Sequence, residues 1–220
     1  MSLEKIVIEP KESAQACVIW IHGLGDSGAG MAPVIPYLGL DDSLNVRFVL
    51  PDAPEQPVTI NAGYIMRSWY DIKSERLSDR VDMDGINESE QLILEIIEGQ
   101  IQSGIPSSKI ILAGFSQGGV LSLYTGLRLR HKLAGIIGMS CYLASGEQLP
   151  EQLSEANRST SILQNHGSHD DVVPVSAGRQ AYETLKASGY DTEWREYTAL
   201  HSLLPQQLTE IGRWITERLT

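Results

Sequence analysis

Short apolar runs alternate with helical patterns along this chain, and few folds are compatible with this alternation. Runs such as KIILAG and AGIIGMS are apolar at nearly every position, which is typical of strands buried on both faces of a parallel sheet. The alternation predicts an α/β fold with a mostly parallel central sheet and helices on both faces. We predict strands at 5–8, 16–21, 46–50, 109–113, 134–139, 161–165 and 192–197, and helices at about 87–102, 117–130, 176–188 and 202–219.

Size and charge narrow the class of protein. The chain has 220 residues, of which 42% are hydrophobic, enough for the core of one domain spanning residues 1–220. Its formal net charge of -11 argues against nucleic-acid binding, because phosphate groups repel an acidic surface. We find no signal-peptide pattern and no run long enough for a membrane span, so we expect a cytoplasmic protein without stable membrane insertion. The two cysteines, Cys17 and Cys141, stand in apolar runs, which favours reduced core residues.

The longest stretch without clear periodicity covers residues 51–84. It contains three prolines, one glycine and the sequence SWYD, which includes Trp69. Long loops in compact domains are often functional. We therefore predict a lid or binding loop here, with a plain surface excursion as the alternative.

The pentapeptide GFSQG, from Gly114 to Gly118, fits the pattern G-x-S-x-G between a predicted buried strand and a predicted helix. A serine in this context lies on a sharp turn that projects its hydroxyl above the sheet, and the glycines remove side chains that would clash there. We predict that Ser116 is a nucleophile and that the backbone N–H group of Gln117 is directed toward a developing oxyanion.

A nucleophilic serine needs a base and a group that orients the base. In this architecture the acid and then the histidine follow the serine, on loops after later strands. The sequence offers Asp170 and Asp171 after one predicted strand and His201 after the next. Turn or helix-start carboxylates and an ordinary surface histidine are the alternatives. His166 and His169 form an H-x-x-H pair, but no third ligand is in view, so we predict no metal site.

The segment HGLGDSG, residues 22–28, contains a G-x-G-x-x-G pattern that can also mark a dinucleotide-binding loop. Such a loop needs a helix that starts within the glycines, and Pro33 and Pro36 would interrupt it. The acid expected about 20 residues further on would be Asp52, which lies in a proline-rich bend. The segment better fits a loop that brings the N–H group of Leu24 to Ser116 as a second oxyanion donor.

Five segments in order, HGLGDSG, PVTINAGYIMRSWYDI, GFSQGG, HGSHDDVVP and LHS, resemble the small carboxylesterase/acyl-protein thioesterase family, also called the phospholipase/carboxylesterase family. The resemblance runs from about Ile19 to His201, and the chain looks most like the bacterial carboxylesterase branch. It implies an α/β-hydrolase fold without a separate cap domain, a triad of Ser116, Asp170 and His201, no cofactor, and a possible homodimer. The choice of Asp170 over Asp171 rests on the family spacing H-G-x-x-D-x-x-V-P.

The resemblance also implies a substrate class, because family members act on carboxylic esters, lysophospholipids or acyl thioesters. We expect a serine hydrolase that cleaves carboxylic esters of short-to-medium acyl chains through an acyl-enzyme. Acyl-protein thioesterase and lysophospholipase are the alternatives within enzymes. A non-catalytic α/β-hydrolase that serves as a binding module is the alternative from another class, because a fold does not fix a function.

We expect the pocket that binds the acyl group to be lined by apolar side chains, as most ligand pockets are. We expect Trp69 to be the main contact, and ordinary core or loop packing is the alternative role for every candidate. The full set of candidates is Trp69, Ile65, Met66, Ile72, Val172 and Leu203.

Overall fold

The computed structural model describes residues 3–74, 81–144 and 153–220. The strands are β1 (Lys5–Ile8), β2 (Ala16–Ile21), β3 (Val46–Pro51), β4 (Glu55–Val58), β5 (Tyr64–Arg67), β6 (Ile110–Phe115), β7 (Gly135–Met139), β8 (Ile162–Gly167) and β9 (Thr192–Tyr197). The helices are α1 (Gly28–Met31), α2 (Met83–Gln102), α3 (Gln117–Arg128), α4 (Val175–Ala187) and α5 (Pro205–Leu219).

A seven-stranded sheet has the order β1-β3-β2-β6-β7-β8-β9. Strand β1 is antiparallel to β3, and every other neighbouring pair in this sheet is parallel. Strands β2, β6 and β7 are buried along almost their whole length, as their apolar sequences predict. The predicted α/β-hydrolase fold with a mostly parallel sheet is confirmed. The carboxyl ends of β6, β8 and β9 all face one edge, which is where open α/β sheets place their sites.

Two apolar layers enclose the sheet, because alternate residues of each strand point to opposite faces. On one face, α2 and α3 pack side chains such as Ile93 and Leu121 against the strands. On the other face, α5 and the 3-10 segment Ala32–Leu38 bury Leu38 and Trp214. The amphipathic helices predicted from the sequence therefore lie on both faces of the sheet.

The segment after β3 folds into an antiparallel hairpin of β4 and β5, in which Pro57 lies opposite Ile65. Proline is tolerated there because the hairpin is a two-stranded sheet with free edges. Ser68, Trp69 and Tyr70 follow the hairpin and are buried. The predicted loop at 51–84 thus has an exposed hairpin and a buried stretch, and its residues 75–80 lie outside the described residues.

Helices α2 and α5 begin several residues away from their predicted positions, whereas α3 and α4 begin within one residue of theirs. Helix α5 starts at Pro205 rather than at residue 202. Proline is favoured at the first position of a helix, because the N–H group that it lacks would have no partner within the helix there. Helix α2 starts at Met83, four residues earlier than predicted, since its first turn lacks the apolar periodicity that we used to find it.

Candidate active site

Ser116 occupies the turn between β6 and α3 in a conformation that few non-glycine residues adopt, with φ 55° and ψ -120°. Its backbone N–H group donates to the carbonyl oxygen of Met139 on the neighbouring strand β7 at 2.9 Å. Strained conformations of this kind cost about 1–3 kcal/mol and persist only where the surrounding structure enforces them. The turn therefore holds the serine at the carboxyl edge of the sheet, as the motif predicted.

The glycines of the motif allow the turn to be this tight. A Cβ atom on Gly118 would lie 2.1 Å from the carbonyl oxygen of Ile21 on the adjacent strand β2. A Cβ atom on Gly114 would lie 2.1 Å from the carbonyl oxygen of Gly118 itself. Both distances are far below van der Waals contact, so any larger residue would push α3 away from the sheet.

Asp170 and His201 are brought together from the loops after β8 and β9. The Nδ1 atom of His201 lies 2.8 Å from Oδ2 of Asp170, whose side chain is fully buried. The other carboxylate oxygen, Oδ1, accepts hydrogen bonds from the backbone N–H groups of Val172 at 3.0 Å and Val173 at 2.8 Å. Asp171, by contrast, is exposed, whereas Asp170 contacts His201, so Asp170 stays the candidate acid of the triad.

The environment of Asp170 keeps it ionised. Burial alone would raise the pKa of this carboxyl, but the hydrogen bonds from His201, Val173 and Val172 outweigh burial and hold the pKa below its usual value. An ionised carboxylate can only accept, so the Nδ1 atom of His201 carries the proton of their hydrogen bond. The Nε2 atom is then the unprotonated nitrogen of the neutral ring, as a general base requires.

Ser116 and His201 line one cavity of about 310 Å³ at this edge of the sheet. The ring of His201 packs on Phe115, the residue before the serine, with ring centroids 4.7 Å apart. Both residues predicted to supply oxyanion donors, Leu24 and Gln117, belong to the same lining. Gln117 is the first residue of α3, so its N–H group has no partner within the helix. The candidate nucleophile, the candidate base and the candidate oxyanion donors therefore surround a single space.

The loop that carries Leu24 approaches the nucleophile closely, since a Cβ atom on Gly23 would lie 3.2 Å from Cβ of Ser116. His22 holds this loop from below. Its Nε2 atom accepts from the N–H group of Ala53 at 3.0 Å, so its Nδ1 atom donates to the carbonyl oxygen of Gly23 at 2.6 Å. Burial lowers the pKa of His22, which keeps the ring neutral and this pattern of hydrogen bonds intact.

Further contacts from the 51–84 segment brace the same loop. The N–H group of Gly25 donates to the carbonyl oxygen of Arg67 at 2.8 Å, and that of Gly28 donates to Oδ1 of Asp52 at 2.6 Å. Asp52 thus binds the start of α1, a helix of only four residues, rather than standing free for a ribose. These contacts favour the oxyanion-loop interpretation of HGLGDSG over the dinucleotide one.

The side chain of Gln117 ties the nucleophile's helix to the buried part of the same segment. Its Oε1 atom accepts from the N–H group of Trp69 at 3.1 Å. Its Nε2 atom donates to the carbonyl oxygen of Tyr70 at 2.7 Å and to the hydroxyl of Ser68 at 3.1 Å. The sequence predicts only a backbone role for Gln117, because the partners of its side chain are 47 to 49 residues away.

Of the six residues predicted to contact an acyl group, two line the cavity. Ile72 and Val172 line the cavity. Ile65 is exposed on the hairpin, Met66 is half-buried there, and Leu203 packs against the core on the α5 side of the sheet. The cavity lining is formed by Gly23, Leu24, Asp26, Tyr70, Ile72, Phe115, Ser116, Gln117, Tyr142, Val172, Val173 and His201.

Trp69, expected to be the main acyl contact, is instead a core residue with 1% of its surface exposed. Its indole Nε1 atom donates to the carbonyl oxygen of His22 at 2.9 Å, and the two rings lie 5.3 Å apart. The residue therefore contacts the start of the loop that carries Leu24 and is not part of the cavity lining. Its neighbour Tyr70 does line it, together with Tyr142, and neither tyrosine was singled out in the sequence.

The two histidines considered as metal ligands have separate environments. His166 is buried, and its Nε2 atom donates to the carbonyl oxygen of Val173 at 2.8 Å. His169 is exposed and bonds to the hydroxyl of Ser168. Within residues 3–74, 81–144 and 153–220, no group of three or more His, Cys, Asp or Glu side chains is arranged to hold a metal ion. Likewise, no helix in these ranges is long and apolar enough to cross a membrane.

The parallel sheet, the strained serine turn and the adjoining aspartate–histidine pair are those of an α/β-hydrolase with a serine nucleophile. The model of the family described as Phospholipase/Carboxylesterase matches residues 3–219, and the chain belongs to this family. The resemblance seen in the sequence is therefore confirmed at the level of the family, and the chain is a serine hydrolase. Its assignment to the bacterial branch stays a prediction.

Named relatives and solved structures support the same family. Acyl-protein thioesterase 1 of Gibberella zeae is 37% identical over 213 residues, which cover 93% of this chain and 91% of that protein. The crystal structure of SOBER1 from Arabidopsis thaliana superposes with a TM-score of 0.89 at 31% identity, covering 94% of this chain and all of the other. Acyl-protein thioesterase 2 of Zea mays gives a TM-score of 0.87 at 25% identity over 99% of both chains.

Proposed function

We propose that this protein hydrolyses acyl thioesters, including those of acylated proteins, and carboxylic esters of the same acyl groups. The observation that carries the proposal is the 2.8 Å hydrogen bond between the buried Asp170 and His201, which lines the same cavity as the strained Ser116. The names of the relatives support the thioester as the preferred bond, since acyl-protein thioesterase 1 is the name of the curated relatives at 34% to 39% identity.

In the proposed mechanism, the hydroxyl of Ser116 attacks the acyl carbon while Nε2 of His201 takes its proton. Asp170 holds Nδ1 of His201 and stabilises the imidazolium that forms. The N–H groups of Leu24 and Gln117 bind the oxyanion of the tetrahedral intermediate. His201 then returns the proton to the departing thiolate or alkoxide, which leaves an acyl-Ser116 ester. Water cleaves this ester with His201 as base once more.

The sequence alone favours a carboxylesterase, with a thioesterase as the alternative. Both reactions pass through the same kind of tetrahedral intermediate, so the triad serves either bond. The relatives' names reverse the order of preference. Short-to-medium acyl chains stay part of the proposal, because a cavity of about 310 Å³ is at the small end of ligand pockets, which span roughly 300–1,000 Å³.

The test compares two substrates with one acyl group, an octanoyl thioester and the matching oxygen ester, in the wild type and in Ser116→Ala. We expect the wild type to cleave both, and we expect loss of the nucleophile to lower turnover by about 10⁴ to 10⁶. Ser108→Ala is a matched control, because the exposed Ser108 lies before the opposite end of β6. This control should retain wild-type rates.

Each remaining result assigns a different function. Cleavage of the oxygen ester alone would replace the proposal by a carboxylesterase, and cleavage of both by Ser116→Ala would remove the serine mechanism. If the wild type cleaves neither substrate, nor a lysophospholipid, the chain would be the non-catalytic binding module, and ligand screening would replace the kinetic assay.

A further inference from the structure

Tyr70 and Tyr142, two residues that line the cavity, are joined through their hydroxyl groups. The hydroxyl oxygens of Tyr70 and Tyr142 lie 3.1 Å apart, within hydrogen-bonding distance, and both residues line the same space as Ser116. Tyr70 is 2% exposed and Tyr142 is 9% exposed, so their bond is shielded from solvent. A shielded hydrogen bond is costly to break without a replacement partner.

The backbone of Tyr70 is held in place by two hydrogen bonds. The carbonyl oxygen of Tyr70 accepts from Nε2 of Gln117 at 2.7 Å and from the hydroxyl of Ser68 at 2.6 Å. Tyr142 follows a left-handed turn at Ser140, whose φ is 46°. The pair thus joins the segment after the hairpin to the loop after β7, across 72 residues of sequence.

Both hydroxyl groups are protonated at neutral pH. Burial raises the pKa of Tyr142 to about 12, and burial likewise raises the pKa of Tyr70 well above its usual value. Both phenols therefore keep their protons. Among the described residues, the only hydrogen-bond partner of each of these hydroxyls is the hydroxyl of the other tyrosine.

We propose that the Tyr70–Tyr142 hydrogen bond sets the acyl length that the cavity accepts. A short acyl chain fits beside the closed pair, whereas a longer chain has to part the two rings and break the bond between their hydroxyls. The bond therefore selects against long chains by roughly its own strength. This inference deepens the proposed hydrolase function and rests on it.

The experiment measures kcat/KM for p-nitrophenyl decanoate and butanoate in the wild type, in Tyr70→Phe, in Tyr142→Phe and in the double variant. Phenylalanine keeps the ring and removes only the hydroxyl. Each single variant is expected to raise the decanoate-to-butanoate ratio about fivefold, the effect of one net hydrogen bond. Because either change alone removes the bond, the double variant should also show about fivefold, and not the roughly 25-fold product.

Tyr124→Phe is the matched control, since Tyr124 is also buried and its hydroxyl donates to Oδ1 of Asn87 at 2.7 Å, outside the cavity lining. It should leave the ratio unchanged. Titration of the active serine with a fluorophosphonate counts the competent sites in each variant. A ratio within twofold of the wild type in both single variants would overturn the inference. A 25-fold change in the double variant would also overturn it, because the tyrosines would then act separately.

The wild type alone provides a second measurement. Its kcat/KM should fall as the ester lengthens from hexanoate to decanoate, whereas a steady rise to decanoate would contradict a closed pair. Failure of the proposed function looks different, since the wild type would then cleave none of these esters at any length.

Discussion

The substitution Asp170→Asn replaces one oxygen of the buried carboxylate with an NH₂ group, and the structure determines which one. Oδ1 accepts from the N–H groups of Val172 and Val173, and these backbone groups can only donate. The asparagine oxygen must therefore take the place of Oδ1. Its NH₂ group then faces Nδ1 of His201, which has to become an acceptor. The ring proton moves to Nε2. This nitrogen has to be unprotonated if it is to accept the proton of Ser116.

The expected loss follows from this forced tautomer. A catalytic histidine held in the wrong tautomer loses about 10⁴ in kcat, which corresponds to about 5.4 kcal/mol of transition-state stabilisation. The fold should survive, because asparagine has the shape of aspartate and the two backbone hydrogen bonds remain. We therefore expect a folded enzyme with normal substrate binding and almost no turnover.

The assay is hydrolysis of p-nitrophenyl butanoate with separate determination of kcat and KM, together with a thermal unfolding curve. Asp171→Asn is the control, because the next residue is an exposed aspartate and its neutralisation should change kcat by less than about twofold. The reasoning is refuted if Asp170→Asn retains a tenth or more of the wild-type kcat. Equal losses in the two variants would refute it as well.

Two further predictions concern the groups beneath the site. His22 and His166 have lowered pKa values because they are buried, so below their unfolded value of 6.5 the unfolded chain binds protons that the folded chain does not. The melting temperature should therefore fall as the pH drops from about 6.5, and a constant melting temperature from pH 8 to pH 5 would contradict the buried neutral rings. Trp69→Phe keeps an aromatic core residue and removes the donor to His22, so kcat should fall by about three- to tenfold while the acyl-length profile stays unchanged. A changed profile with an unchanged kcat would restore Trp69 as an acyl contact.

The sheet was predictable because its signals are local. The predicted strands 16–21 and 192–197 coincide with the observed ones, since an apolar or alternating run of six residues determines a strand without reference to the rest of the chain. The turn at Ser116 was equally local, being defined by two glycines and the strand and helix on either side. The hairpin of β4 and β5 was missed because Pro57 lies within it, and proline argues against a strand.

The contacts that shape the cavity could not be read from sequence, because they join residues far apart in the chain. Trp69 bonds to His22 across 47 residues, and nothing in the sequence SWYD distinguishes a buried tryptophan from one that faces a substrate. Tyr70 and Tyr142 are 72 residues apart, and each alone is an ordinary core aromatic. Patterns of spacing indicate which residues are candidates for the chemistry. The residues that form the walls of the cavity are determined by how loops distant in sequence pack together.

The two proposed oxyanion donors are anchored differently, and this difference should appear when the enzyme is heated. Gln117 belongs to a helix packed on the central sheet, whereas the Leu24 loop depends on Arg67, Trp69 and Asp52 in the segment around the hairpin. A two-stranded hairpin opens more readily than a seven-stranded sheet. Heat should consequently inactivate the enzyme reversibly several degrees below the melting temperature of the sheet. The stability of the hairpin segment, and not that of the sheet, would then limit the temperature at which the enzyme is active.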